Sequence, residues 1–442
     1  MFRGSPNAGI CIIPPPMFPA SSPSNRSHVT LALSTVLHLF THAYGVMLVP
    51  LYLLMVNDLH LKGVRAAALV VTVYGVTYNL FSFTAGKLAD GYDRRVLLSV
   101  GLLGNSVAIV MMGMTHHYWM VMLLSVIAGL FGTLFHPAAN ALVSAHYPRS
   151  PGMAIGLLGI GSGLGFYIGP RFAGWRADLP APTYLHIAAW QRPLVELGTL
   201  GIITAILYLL FAKETARIQM ARRAHVELGR NLRRKMIWIS LTLGCRDFAG
   251  VSAVSLIGIF LQKARGMDAR ETGRFVGVMM LGSMIVNPLL VYFSPCRRRL
   301  PVLIALLASS GIMLMAIPFA PLAITLAALA LFEALHLGCY AVGDAAMLER
   351  VPDQLRGRLT GMFLALAGTV ASLGPWVVGF YADRLGVHGA DPRAYVPLFV
   401  CNGALLLIAI TAVPIIARLG SLHGQPIDPL NELMPATVET LG

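Results

Sequence analysis

Long uncharged apolar stretches recur along the chain between short polar or proline-containing breaks, and their lengths come in units of about 20 residues, the length of helix that crosses a bilayer. From Val96 to Pro148 there is no Lys, Arg, Asp or Glu. That stretch is long enough for two crossings joined by the turn Thr115-His116-His117-Tyr118. A second uncharged run, Leu300 to Phe332, breaks near Pro318 and Pro321, where a turn between crossings fits. The same pattern predicts spans near 29–56, 66–86, 96–114, 118–144, 152–175 and 193–212. After a polar interval it predicts others near 236–261, 273–294, 301–319, 321–348, 359–382 and 396–417. Twelve crossings put both ends on one side.

Composition narrows the class. Of 442 residues, 56% are hydrophobic and 12% charged, about half the charge of a soluble domain. A soluble enzyme is excluded, and an all-α integral membrane protein is expected. The net charge of +14 invites a nucleic-acid reading, but its distribution argues otherwise. With both termini cytoplasmic, the cytoplasmic segments hold 21 of the 33 Lys and Arg and the external segments 10, counting Arg274 at the outer edge of the eighth span with them. This is the positive-inside bias, so the expected partner is the lipid bilayer and not nucleic acid. The basic interval containing Arg222, Arg223, Arg233, Arg234 and Lys235 reads as a solvated linker. Residues 1–27, with Pro14-Pro15-Pro16, read as a disordered tail in which Met17 is a second candidate start. The cysteines, at 11, 245, 296, 339 and 401, show no metal-ligand spacing, so neither metal nor cofactor is expected.

The chain repeats itself. A displacement of 205 carries Gly169-Pro170 onto Gly374-Pro375, Gly174 onto Gly379, and Ala177-Asp178 onto Ala382-Asp383. Gly152 and Gly156 likewise fall on Gly357 and Gly361. Two pseudo-symmetric six-helix bundles follow, 28–212 and 236–418, joined by a basic cytoplasmic linker at 213–235 and followed by a cytoplasmic tail at 419–442. Parallel repeats of this kind are a transporter architecture.

On these features the chain resembles the major facilitator superfamily. The loop after the second span, Gly86-Lys87-Leu88-Ala89-Asp90-Gly91-Tyr92-Asp93-Arg94-Arg95, is similar to the signature loop of that superfamily, departing from it at Gly91 and Asp93. Gly86 is read as permitting close helix approach, Asp90 as meeting a helix amino terminus, and Arg94 and Arg95 as ion-pair partners of a cytoplasmic gate that also includes Asp344. The equivalent loop in the second half, Ser294 to Arg299, keeps charge but lacks the Gly and Asp. In the fifth span, Gly161, Gly165 and Gly169 recur every four residues before Pro170. They make a flat helix-packing ridge that resembles the antiporter motif of drug and proton exchangers. Gly374 and Pro375 repeat part of it. In the first half, His38 together with Phe135-His136-Pro137 resembles the fosmidomycin-resistance type of drug exporter. In that group an Asp commonly lies four residues after the first His, where this chain has His42.

Ionisable residues inside hydrocarbon are costly and are functional candidates. Asp247 lies near the middle of the seventh span, with Arg246 beside it. Neighbours on a helix point about 100° apart, so the two are expected to find separate partners on other helices. Glu333 in the tenth span shares a face with His336, and His38 shares one with His42. The pseudo-twofold axis would set His42 facing Asp247. The resemblance implies that spans 1, 4, 7 and 10 line the cavity, and these residues and His136 fall on those four. Asp247, Glu333, Arg246, His42, His38, His136 and His336 are therefore the candidates for proton coupling or substrate contact, and no catalytic residue is assigned.

The expected function is a monomeric secondary transporter working by alternating access, a proton-coupled exporter (antiport, drug efflux) of a small amphiphilic or drug-like solute in a bacterial inner membrane. No phosphate-binding Gly-rich loop with a following Lys is present, which argues against ATP drive. A proton-linked importer of an organic anion and a non-transporting membrane receptor or assembly protein on the same fold are the alternatives.

Overall fold

The computed structural model describes residues 25–147, 150–180, 187–213, 229–294, 298–351 and 353–419. The expected tails before residue 25 and after 419, most of the linker, and Pro295-Cys296-Arg297 lie outside them.

All regular structure among the described residues is helical. The spans are α1 (Arg26–Asp58), α2 (Val64–Leu80 with Ser82–Gly91), α3 (Arg94–Met112), α4 (Tyr118–His146), α5 (Gly152–Asp178) and α6 (Gln191–Phe211). The second half repeats the order with α7 (Arg230–Lys263), α8 (Ala269–Phe293), α9 (Arg299–Phe319), α10 (Leu322–Met347), α11 (Leu359–Arg384) and α12 (Pro392–Ala417). Lipid supplies no partner for backbone N–H and C=O groups, so continuous helix is the conformation these apolar runs can adopt. Many hydroxyls within the spans turn back on their own helix, as when Thr35 Oγ1 donates to the Leu31 carbonyl at 2.9 Å and Ser34 Oγ to Thr30 at 2.7 Å, while Ser99 and Ser125 donate across to the Ala205 and Val70 carbonyls of neighbouring spans.

Several spans depart from straight helix, among them α1, α2 and α11. In α1 a 3-10 turn at Val49–Leu51 accommodates Pro50, whose ring has no N–H for the ladder. The two segments of α2 meet at 46°. In α11 a π-turn covers Leu364–Gly368, where Gly368 packs against Asn79 of α2.

Within the first half, α5 lies directly on α1. A Cβ on Gly161, Gly165 or Gly169 would run into the carbonyl groups of Thr35, Leu39 and Ala43 in turn. Two four-residue rows thus meet backbone to backbone, a closeness that only residues without side chains permit. The halves join along α5 with α8 and α2 with α11, pairs that the 205-residue repeat interchanges. Gly273 packs on the Pro170 carbonyl group, and Gly379 lies where a Cβ would come 2.7 Å from Arg65 Cα.

Both described ends lie on one face. The Lys213 backbone N–H donates to Thr30 Oγ1 at 3.0 Å, its carbonyl lies 2.9 Å from His146 Nε2, and Lys235 Nζ donates to the Arg418 carbonyl at 2.8 Å. The opposite, far face is clasped between halves. Arg270 at the start of α8 pairs with Asp178 at the end of α5 at 3.1 Å, and Arg65 at the start of α2 lies 3.9 Å from Asp383 in α11. The offset of 205 relates Arg65 to Arg270 as it relates Asp178 to Asp383, so the clasp obeys the pseudo-symmetry. The helix caps break that symmetry. Asp268 caps α8 from within, accepting from Glu271 N at 2.7 Å in a capping box. The equivalent residue before α2 is Gly63, and Asp383 of the other half supplies the cap, accepting from Val64 N at 2.7 Å and Arg65 N at 3.0 Å.

Candidate functional site

The ionisable residues inside the bundle form two clusters. In the second half, Arg246 and Asp247 on α7 meet Glu333, His336, Tyr340 and Asp344 on α10. Arg246 is fully buried. Its Nε donates to Asp247 Oδ1 at 2.7 Å and its Nη1 to the Cys339 carbonyl at 3.1 Å. The guanidinium lies 4.0 Å from the Tyr340 ring centroid, a cation–π contact. A Cβ on Gly343 would lie 3.1 Å from Nη1, so the absence of a side chain there gives the guanidinium its room.

This pairing corrects the expectation that Arg246 and Asp247 would find separate partners. Rotation about the helix separates their Cβ directions, but the long Arg arm spans that separation, and burial of both groups favours their pairing. His336 does not pair with a carboxylate. Its Nε2 lies 3.5 Å from the Arg246 carbonyl, its ring stacks on Phe332, and Gly250 makes space for it. Glu333 is buried, and its Oε2 has no hydrogen-bond partner among the described residues. Asp344 Oδ1 is likewise buried without one, and its carboxyl lies within electrostatic reach of Arg246. Arg246 therefore faces the carboxyl groups of Asp247 and Asp344, and the Glu333 carboxyl lies within electrostatic reach of Tyr340. Arg246 Nη2, also unpartnered among the described residues, remains as a donor.

In the first half, His38 and His42 on α1 converge with His136 on α4, and one nitrogen from each lies within 4.8 Å of the others. His42 Nε2 is 3.0 Å from His38 Nε2, and His38 Nδ1 is 2.8 Å from the Leu158 carbonyl of α5. Phe135 stacks on His38, and Phe166 lies against His42. His42 and Asp247 lie in these separate clusters, each with its own hydrogen-bond partner, His38 and Arg246. Sequence reasoning reached all three histidines but not their convergence, which depends on how α1 and α4 pack.

In the signature loop, nothing lies within 4 Å of a Cβ placed on Gly86, so this glycine accommodates no close neighbour in this conformation. Asp93, a departure from the superfamily pattern, caps α3 by accepting from Val96 N at 3.1 Å. Arg94 Nε donates to the Ala89 carbonyl at 3.2 Å, Arg95 lies 3.8 Å from Asp93, and Asp90 is exposed at the end of α2. In the equivalent loop of the second half, Arg299 pairs with Glu349 and donates to the Ser294 carbonyl. Gly374 and Pro375 begin the straight part of α11, with Gly374 packed on Ser252 of α7. Sequence reasoning named Asp178 and Asp383 of the far-face clasp only as marks of the repeat and passed over Arg65 and Arg270. The shared offset of 205 was the available signal.

The family model described as Major Facilitator Superfamily matches residues 31–375. "Multidrug resistance protein MdtG" of Klebsiella pneumoniae (strain 342) is 40% identical over 111 residues, covering 24% of this chain and 26% of the relative. The protein of that name from Dickeya zeae (strain Ech586) is 34% identical over 145 residues, 31% of this chain and 35% of the relative. The matched parts thus span about a quarter to a third of these relatives' lengths. Among solved structures, a bacterial homolog to the human lysosomal transporter Spinster, inward-facing and occupied, has a TM-score of 0.69 at 18% identity, covering 91% of this chain and 96% of that one. The D-xylose-proton symporter follows with a TM-score of 0.66 at 13% identity over 88% and 96% of the two chains. With a family model spanning most of its helices and the superfamily's fold along nearly its whole length, the chain belongs to the Major Facilitator Superfamily, whose members are membrane transporters and not enzymes.

Proposed function

We propose that this transporter exports small amphiphilic or drug-like solutes in exchange for protons, working by alternating access with both termini in the cytoplasm. The single observation that carries the coupling is the composition of the α7–α10 cluster, in which Arg246 faces Asp247 and Asp344 while the buried Glu333 has no hydrogen-bond partner on Oε2 and no cation beside it among the described residues. Arg246 neutralises one carboxylate, and an unbalanced second or third charge in a bundle inside lipid is expensive. Protons supply the balance. Glu333, with a buried oxygen that accepts no hydrogen bond from the described residues, is the proposed proton carrier, and Asp247 the carboxylate that trades Arg246 for a proton or solute. The relatives named as multidrug resistance proteins support export of drug-like solutes. The far-face clasp between Asp178, Arg270, Arg65 and Asp383 supports alternating access, because it joins the halves through contacts at one face that separation would break. Net positive charge on the loops of the terminal face supports its placement in the cytoplasm.

One observation favours a second reading, a proton-linked importer of an organic anion: Arg246 Nη2 is a buried donor left for a carboxylate or phosphonate. Solute flux into vesicles containing the purified protein, with a pH gradient imposed in each direction, tests both. Lipophilic cations moving against the proton gradient support export, co-movement of an organic anion with protons supports import, and flux indifferent to the gradient refutes the coupling.

A further inference from the structure

The structure assigns to His38, His42 and His136 a binding site for a borderline divalent transition-metal cation of the Zn²⁺ type, held between α1 and α4 with one coordination position left for an exchangeable ligand. The proposal is independent of the proton reading, which rests on the other half. Three imidazoles converge with no carboxylate among them, one nitrogen from each within 4.8 Å of the others. Their hydrogen bonding is incomplete as it stands. The Leu158 carbonyl accepts only from a protonated Nδ1, which leaves His38 Nε2 as a lone pair directed at His42. A single proton on His42 Nε2 satisfies that contact but leaves His136, which makes no hydrogen bond among the described residues. A metal ion satisfies all three rings at once.

The arrangement also has the supporting features of a built site. A ligating histidine ordinarily donates its other nitrogen to a carbonyl or carboxylate, which fixes tautomer and ring orientation, and the bond to Leu158 provides this for His38. Phe135 and Phe166 wall the cluster with aromatic rings. With metal–nitrogen bonds of about 2.0–2.1 Å, ligand nitrogens on a tetrahedral ion lie roughly 3.3 Å apart. The His38–His42 separation of 3.0 Å is already close to this. The His136 nitrogen, on a ring partly exposed inside the bundle, starts within 4.8 Å of the other two and has to move inward by at most about 1.5 Å to reach that spacing. Three histidines with a fourth position open is the ligand pattern of a site that exchanges water for another ligand. The spacing of four between His38 and His42 sets two ligands on one helix face.

The test uses the full chain, purified with a tag that contains no histidine, stripped with chelator in lipid nanodiscs and titrated with Co²⁺ alone. Visible d–d absorption of a low-symmetry site, saturating at one ion per chain and displaced by Zn²⁺, is expected. His42→Ala and His136→Ala each weaken binding by at least about 10-fold, while His336→Ala in the second half and His117→Ala on the exposed loop bind as the unaltered protein does. The conservative His136→Gln variant, checked for an unchanged elution profile, separates ligand loss from misfolding. Absorption that survives His42→Ala and His136→Gln, or that disappears with His117→Ala, overturns the assignment, as does an absence of saturable absorption in the unaltered protein.

Discussion

Replacing Asp383 by Ala should release the far face. In the clasped state the Asp383 carboxylate accepts two backbone N–H bonds at the start of α2 and lies 3.9 Å from the Arg65 guanidinium. Loss of an N-cap costs about 0.5–2 kcal/mol. The ion pair adds little, because the Arg65 side chain is 48% exposed and such pairs contribute about 0–1 kcal/mol. These contacts exist only while the halves meet, so Asp383→Ala moves the equilibrium between far-face-closed and far-face-open forms by about 1–2 kcal/mol, a factor of roughly 5–30. Asp178→Ala should do much less. The α8 terminus keeps its own cap on Asp268, so this change removes only an exposed pair, and Asp383→Asn, which retains a capping oxygen, should resemble it. Spin labels at Lys62 and Val387, exposed on the two far-face connections, report the populations by pulsed dipolar distance measurement in a cysteine-free background. Equal effects of Asp383→Ala and Asp178→Ala, or no effect of either, would refute the reasoning.

Three further changes follow from the packing and charge. Arg246→Gln leaves Asp247 without its buried cation and should destabilise by about 3–5 kcal/mol; thermal unfolding in detergent should show much of this recovered in the double variant Arg246→Gln with Asp247→Asn. Gly165→Leu drives a side chain into the Leu39 backbone and should cost at least about 1–3 kcal/mol as an overpacking change, whereas Gly152→Leu, with nothing within 4 Å of its Cβ, should leave the melting temperature nearly unchanged. Gly63→Ala places a methyl group inside the Asp383 carboxyl group and should reproduce the Asp383→Ala distance distribution.

The crossings were legible because a bilayer imposes its thickness on the sequence, so charge-free runs mark them without knowledge of packing. The repeat was legible for the same reason that it is functional, since glycines at close crossings such as Gly169 and Gly379 tolerate no side chain in either half. The bend after Leu80 and the π-turn at Leu364–Gly368 left no such trace. The Arg246–Asp247 pair was misjudged because helix periodicity describes where a side chain starts and not how far an arginine reaches. The trans-cap on α2 was hidden in an absence: Gly63 stands where the repeat has Asp268, and only the contact with Asp383 shows what replaces the missing cap. The histidine cluster was half visible, in that a spacing of four joins His38 to His42, but His136 joins them only through the packing of two helices.

Proton coupling through Glu333 is the central claim, and counting protons against solute tests it most directly. Purified protein and its Glu333→Gln variant, each sealed in vesicles with a pH-sensitive dye, are supplied with a lipophilic cation under an imposed pH gradient. The account predicts proton movement opposite to solute in the unaltered protein, and in Glu333→Gln solute exchange that persists without proton movement and ignores the gradient. Stoichiometric proton movement retained by Glu333→Gln would contradict it.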